Sequence, residues 1–204
     1  LYPAFKYAGF SLQLSEGLFA VFAFSFVFMA AGGYIINDYC DVEIDKVNKP
    51  SKVIIGTYVK PGIAYSAYWI FSLTGLVMGC WASFKIELPA LSAVFLIYLS
   101  GLWYYSNTIK YLPVIGNFLV AFFLALVPFI AGLVELFADI KNPQFHACNL
   151  NLKFLFYWIS GISAFAFILS LTREVIKDIE DTEGDKAAGC RTIPIFCGKN
   201  AAKR

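Results

Sequence analysis

Asn37, Asp41 and Asp45 recur every four residues, and Asp178, Asp181 and Asp185 follow an i, i+3, i+7 pattern. Either spacing puts three oxygen-bearing side chains on one face of a helix. Gly184 makes helix continuity less secure in the second group. Ten of the chain's 14 acidic residues fall in the two short segments that carry these ladders, 37–45 and 174–185. Carboxylate oxygens are ligands for hard divalent cations, and Mg2+ is commonly held by one or two carboxylates while it keeps waters and binds substrate phosphates. Two such ladders facing each other make a strongly negative cavity, in which Mg2+ would neutralise the charge of a leaving diphosphate. Lys46, Lys49, Lys52, Lys177, Lys186 and Arg191 stand in the same segments. They are candidates for the remaining phosphate oxygens. For one cluster alone a solvated acidic face is the better reading. Two clusters with helical spacing, on one side of a membrane, weigh against it.

The elements that must hold these residues are apolar. Charged residues are 15% of the chain. An ordinary soluble domain carries about 25%. Five stretches carry no charge: 17–37, 61–84, 88–109, 111–134 and 154–172. Each is close to the ~20 residues that a helix needs to cross a bilayer. Residues 1–14 read as the end of an earlier span, interrupted only by Lys6. The expectation is an all-α, polytopic membrane helical bundle, one domain over 1–204, with five whole spans and part of a sixth. A chain that starts at Leu1 and ends in the charged run 199–204 reads as truncated at both ends. It shows no cleavable signal peptide. Each acidic cluster ends a span, where carboxylates are costly unless they serve a function.

Charge distribution predicts sidedness. Counting from the partial span, the connectors after spans two, four and six hold twelve of the 16 basic residues. The positive-inside rule puts that side, and both acidic clusters, in the cytoplasm. An apolar span, an acidic helix end and a basic loop occur in that order after spans two and six, a faint twofold pattern. Gly32, Gly33, Gly75, Gly79 and Gly161 lie inside spans. Small residues there predict close helix packing. Five scattered cysteines lack a C-x-x-C pair. They argue against a zinc site or disulfide framework and read as small apolar fillers. His146 reads as a loop residue. The net charge of +2 is itself uninformative, and no nucleic-acid partner is expected. Phe22, Phe24, Phe26, Phe28, Tyr98, Trp103, Tyr104, Tyr105, Phe122 and Phe123 offer aromatic rings. Such rings can pack on an isoprenoid tail and face a cation.

Together these residues resemble the UbiA superfamily of membrane prenyltransferases. Asn37, Asp41 and Asp45 match its N-x-x-x-D-x-x-x-D motif, and Asp181 and Asp185 match its D-x-x-x-D motif, with Asp178 on the same face. The stretch 178–194 is very similar to the family's second conserved loop, and residues 105–110 with Gly116 and Asn117 resemble its central tyrosine-serine-lysine region. The resemblance implies nine transmembrane helices around a central cavity, about six of them covered here, with a cytoplasmic cap over the motifs. It implies an integral, multi-pass protein of the cell membrane and a transferase of alkyl groups. Mg2+ at Asn37, Asp41, Asp45, Asp178, Asp181 and Asp185 would bind a polyprenyl diphosphate. The diphosphate would leave, and a lipophilic acceptor would attack the allylic cation. It adds Lys110 to the diphosphate contacts and Tyr105 to the catalytic set.

One departure stands out. After Pro50, where many members carry an arginine-proline-leucine-proline-serine-glycine run, residues 51–57 read serine-lysine-valine-isoleucine-isoleucine-glycine-threonine. Lys52 would take the arginine's place, though the two are not equivalent as phosphate contacts. This variant looks closest to bacterial geranylgeranylglycerol-phosphate geranylgeranyltransferases, whose acceptor is an alcohol that must lose a proton to Tyr105 or to a motif carboxylate. An aromatic acceptor is the alternative. A CDP-alcohol phosphotransferase lacks support, because neither cluster reads Asp-Gly followed by Ala-Arg. A cation transporter would favour carboxylates in mid-span, and these sit at span ends.

Overall fold

The computed structural model describes residues 2–7, 12–112, 114–141 and 152–202. His146 and Cys148 lie outside the described residues. The architecture is all-α. The helices are α1 (Tyr2–Tyr7), α2 (Glu16–Asn48), α3 (Pro61–Lys85), α4 (Leu91–Asn107), α5 (Ile115–Lys141), α6 (Leu152–Glu180), α7 (Thr182–Ala187), α8 (Ile193–Cys197) and α9 (Lys199–Ala202). Four of them, α2, α3, α5 and α6, are long and apolar enough to cross a membrane. The expected span over 88–109 forms a helix shorter than its uncharged stretch. Helix α4 has 17 residues. A turn at Glu87, with φ 61°, and the following Pro89 delay its start, and Asn107 ends it by donating to the Trp103 carbonyl at 2.8 Å. Of the partial first span only the six residues of α1 are described as helix. Phe5 of α1 packs with Leu136, Leu155 and Ile159 on α5 and α6.

Helix α2 sets the scale of the molecule. It has 33 residues. At about 1.5 Å per residue it extends roughly 50 Å. A hydrocarbon core is only about 30 Å thick. Ser15 caps the helix start, accepting from the Leu18 N–H at 3.3 Å. That bond satisfies one of the free donors of the first turn. Unbroken helix runs through Asn48, so the first acidic ladder keeps its register beyond the apolar part.

Helices α2 and α3 pack along each other, as do α5 and α6, and α4 leans on the first pair. Glycines permit the closest approach. A Cβ on Gly32 would meet the Ser72 Oγ at 2.3 Å, and one on Gly75 would meet the Ser25 carbonyl oxygen at 2.6 Å. Gly33 and Gly79 give similar room to Leu102 and Phe95. Gly161 does not fit that expectation, because its missing side chain would point into open space. The core between the two helix pairs is aromatic. Phe22, Phe26, Phe95, Tyr98 and Phe123 are buried together, with Phe26 4.9 Å from Phe95 and Tyr98 5.0 Å from Phe123. On the outer faces Val27, Ile70, Val77, Ile97 and Ile168 are exposed. Helices that present apolar side chains to lipid show that pattern.

The second acidic segment bends at a different place from the one its glycine suggests. Gly184 is the expected weak point, yet the break falls at Asp181, which leaves α6 and caps α7. Thr182 turns its hydroxyl back to the carbonyls of Asp178 at 3.0 Å and Ile179 at 2.9 Å. Such local competition with the backbone loosens a helix end.

Candidate active site

Helix α2 brings the first ladder, and α6 with α7 brings the second, to one cavity of about 280 Å³. Asn37, Asp41, Asp45, Asp178, Asp181 and Asp185 all line it. So do Lys49, Lys52, Lys110, Lys177 and Tyr105. Lys46, Lys186 and Arg191 do not. Lys46 instead pairs at 2.7 Å with Glu43 on the exposed side of α2.

The carboxylates are tied down individually. Asn37 donates its amide N–H to Asp41 Oδ2 at 2.8 Å, and the Lys110 ammonium grips Asp41 Oδ1 at 2.5 Å. Asn117, at the start of α5, donates to Asp178 Oδ2 at 2.8 Å. Lys49 donates to Asp181 Oδ2 at 2.8 Å and faces Oδ1 at 2.6 Å, an ion-pair distance without hydrogen-bond alignment. Oδ1 is therefore buried without a hydrogen-bond donor. Asn48 Oδ1 accepts from the Gly184 N–H at 2.6 Å and staples the end of α2 to α7. A side chain on Gly184 would meet that amide at 2.5 Å, so glycine is required there.

Six aspartates line the cavity with four lysines, a formal excess of two negative charges. Burial, and then the charges of Asp178, Asp181 and Asp41, push the Asp185 carboxyl up to about 7. Both causes disfavour the charged form of a carboxyl. Burial, and then the Asp185 carboxylate, push the Cys190 thiol up to about 11. Burial alone would lower Lys49, but its hydrogen bond and charge pairing with Asp181 outweigh that and hold it above the usual lysine value.

The segment that departs from the expected sequence forms a wall. Pro50–Lys52 is a 3-10 turn, Val53 and Ile55 are buried over the cavity, and Lys52 reaches its lining. Gly56, with φ 89°, reverses the chain so that its N–H bonds the Val59 carbonyl at 2.8 Å.

A second cavity, of about 140 Å³, continues from the first between α2, α4, α5 and α6. Asn37, Asp38, Tyr105 and Lys177 line both. Beyond that junction the walls are mostly apolar: Ala30, Gly33, Tyr98, Leu102, Val120, Phe123 and Leu124. Of the ten rings expected to offer aromatic surface, Tyr98, Tyr105 and Phe123 face this cavity. Phe22 and Phe26 belong to the core, Phe28 packs on Phe71 at 5.7 Å, and Phe24, Trp103, Tyr104 and Phe122 are exposed on the outside.

Residues 5–204 match the UbiA prenyltransferase family. The chain belongs to that family. Its relatives include the digeranylgeranylglyceryl phosphate synthase of Pyrococcus horikoshii, 35% identical over 84% of this chain and 54% of the relative. Proteins of the same name from Thermococcus kodakarensis (31% identical over 90% of this chain and 58% of the relative) and Methanothrix thermoacetophila (34%, 88% and 59%) are similar too. The chain thus spans a little over half the length of these curated relatives. No solved structure matches.

Within this UbiA chain, the residues around the cavity fit a hard divalent cation. The donors are oxygens, and the six aspartates outnumber the four lysines around them, so the local charge is negative. Among the described residues no three acidic, histidine or cysteine side chains converge on one point. That arrangement suits ions held by one or two carboxylates each, with water and phosphate oxygens completing the shell.

Sequence reasoning gave no site role to Asp38, Asn48, Glu174 or Asn117, the last named only within a family resemblance. Asp38 carries a readable signal, since 38, 41 and 45 are themselves spaced i, i+3, i+7. Glu174 stands four before Asp178 and therefore on the same face. Asn48 and Asn117 act through partners distant in sequence, which no local pattern reveals.

Proposed function

We propose that the protein is an integral-membrane prenyltransferase that moves a polyprenyl group from a polyprenyl diphosphate to a lipophilic alcohol, geranylgeranylglyceryl phosphate. The observation that carries this reading is the continuity of a polar, carboxylate-lined cavity with an apolar one through Asn37, Asp38, Tyr105 and Lys177. A donor with a charged head and a hydrocarbon tail needs that pair of environments in that order. Family membership and the names of the relatives support the same chemistry and favour the glycerophosphate acceptor over an aromatic one.

Asn37, Asp41, Asp45, Asp178, Asp181 and Asp185 would hold Mg2+, which when bound supplies the positive charge that a departing diphosphate requires. Lys49, Lys52, Lys110 and Lys177 line the same cavity. Their ammonium groups are donors for the phosphate oxygens. The tail lies in the apolar cavity, where exclusion of water protects a reactive cation. The C1–O bond breaks with its electron pair passing to the diphosphate, and the rings of Tyr98, Tyr105 and Phe123 offer π faces to the developing positive charge. The acceptor oxygen then forms the new C–O bond. Basic residues concentrate on the site's side of the bundle, which supports a cytoplasmic active site in the cell membrane.

The test uses the full-length protein in membranes with labelled geranylgeranyl diphosphate, Mg2+ and either geranylgeranylglyceryl phosphate or 4-hydroxybenzoate. Label is expected in the glycerophosphate product and is lost in Asp41→Ala and Asp181→Ala. Label in the benzoate product alone replaces the acceptor. No Mg2+-dependent release of diphosphate from any prenyl donor overturns the reaction.

A further inference from the structure

We propose that Glu174 is the proton acceptor for the attacking hydroxyl, an inference that rests on the prenyl-transfer reading above. Glu174 lies one helical turn before Asp178 and lines the apolar cavity with only 5% of its surface exposed. A carboxylate buried in a membrane helix at the wall of a cavity is costly and marks a functional position. Its partner does not explain it. Arg173 donates to Glu174 Oε1 at 2.8 Å, but the arginine side chain is 60% exposed and is solvated without a buried counter-ion.

The other carboxylates are placed for different work. Asp41 and Asp181 are held by Lys110 and Lys49, and Asp178 by Asn117. All three face the polar cavity, where the diphosphate sits. Asp38 lines the junction but is exposed to solvent. The acceptor oxygen has to meet C1 where the two cavities join, in a setting shielded from water, and Glu174 is the buried carboxylate on that side. As the C1–O bond to diphosphate breaks, the diphosphate takes that electron pair. An oxygen lone pair of the acceptor forms the ether bond, and the hydroxyl proton passes to the Glu174 carboxylate. Arg173, bonded to the Glu174 Oε1, stands at the exposed edge of the same cavity.

The experiment compares full-length wild type, Glu174→Gln and Glu174→Asp in membranes, measuring labelled ether product and diphosphate release separately across pH. Glu174→Gln keeps the shape and loses the base. Its kcat for transfer is expected to fall about 100-fold or more, the usual scale of base catalysis, while donor KM holds and the acidic limb of the pH–rate profile disappears. Glu174→Asp draws the carboxylate back by one methylene and is expected to transfer at an intermediate rate with the acidic limb retained. Transfer by Glu174→Gln within about threefold of wild type, with an unchanged pH profile, overturns the assignment. So does an equal loss of donor binding and transfer, which marks a structural role. If Glu174→Gln does not accumulate, a wild-type rate in Glu174→Asp overturns it. Wild type that transfers to no acceptor removes the prenyl-transfer reading itself, a failure distinct from the others.

Discussion

The Lys49 ammonium spans both carboxylate oxygens of Asp181, 2.8 Å from Oδ2 and 2.6 Å from Oδ1, and so joins the end of α2 to the start of α7. The two residues are 132 positions apart, and their pairing links the elements that carry the two ladders. It also holds a cation against a motif carboxylate. On the proposed reading Lys49 would compete with Mg2+ for Asp181 while helping to hold a diphosphate.

Lys49→Met separates those roles. Asp181 then loses its counter-ion, and the fold without Mg2+ is expected to lose about 1–2 kcal/mol, toward the low end for a broken partly buried pair. Added Mg2+ should raise the melting temperature of the variant more than that of wild type, while inorganic pyrophosphate binds more weakly. Thermal unfolding with Mg2+ alone and with Mg2+ plus pyrophosphate reads both. An equal Mg2+ shift in the two proteins contradicts the competition.

Asn48 and Gly184 make the second bridge between the same elements. Asn48→Ala leaves the Gly184 N–H without its acceptor and is expected to cost about 1–3 kcal/mol. Gly184→Ala forces a methyl to within 2.5 Å of the Asn48 side chain. Removing the Asn48 amide also makes room for that methyl, so the double variant should be less destabilised than the two single losses added together. A chemical-denaturation cycle over the four proteins measures the coupling, and strict additivity argues against the contact.

How much of this was legible follows from what a local pattern can encode. Charge-free runs place the helices, and i, i+4 spacing turns Asn37, Asp41 and Asp45 to one face because α2 stays helical through Asn48. The ends of α4 were not legible in the run of apolar residues. They depend on the Glu87 turn and the Asn107 hydrogen bond. Nearness in sequence also does not bring every cation to the cavity lining. Lys46 and Lys186 directly follow Asp45 and Asp185, and one residue along a helix is a rotation of about 100°, which carries a side chain off the shared face. Lys49, four after Asp45, stays on it. The break at Asp181 rather than Gly184 depends on the Thr182 hydroxyl, a competition that residue propensity alone does not rank.

Asp185 predicts a pH dependence. Its carboxyl is raised from 3.8 to about 7, so between those values the folded chain holds a proton that the unfolded chain has released. Where the folded state binds more protons, stability falls as pH rises, and this group's contribution declines from about pH 4 to about pH 7. A divalent cation favours the ionised carboxylate and opposes the decline. Mg2+ binding in the presence of pyrophosphate should therefore tighten from about pH 6 to about pH 8, with release of up to about one proton at the lower value. Calorimetry in two buffers of different ionisation enthalpy counts that proton. Equal affinity at both pH values, with no proton released, would contradict the assignment.

Gly101 carries the last prediction, which concerns the donor's tail. It faces Phe123 across the α4–α5 contact, and a Cβ there would stand 2.1 Å from the ring's Cζ. Phe123 lines the apolar cavity, so a ring forced away from α4 moves into space of only about 140 Å³. Gly101→Ala should then disfavour long donors. Overpacking of this kind costs about 1–3 kcal/mol, which predicts that kcat/KM for geranylgeranyl diphosphate falls about tenfold more than for geranyl diphosphate. Because the polar cavity is untouched, pyrophosphate affinity should hold. An equal loss for both donors would mean that the ring is absorbed elsewhere and that this cavity does not house the tail.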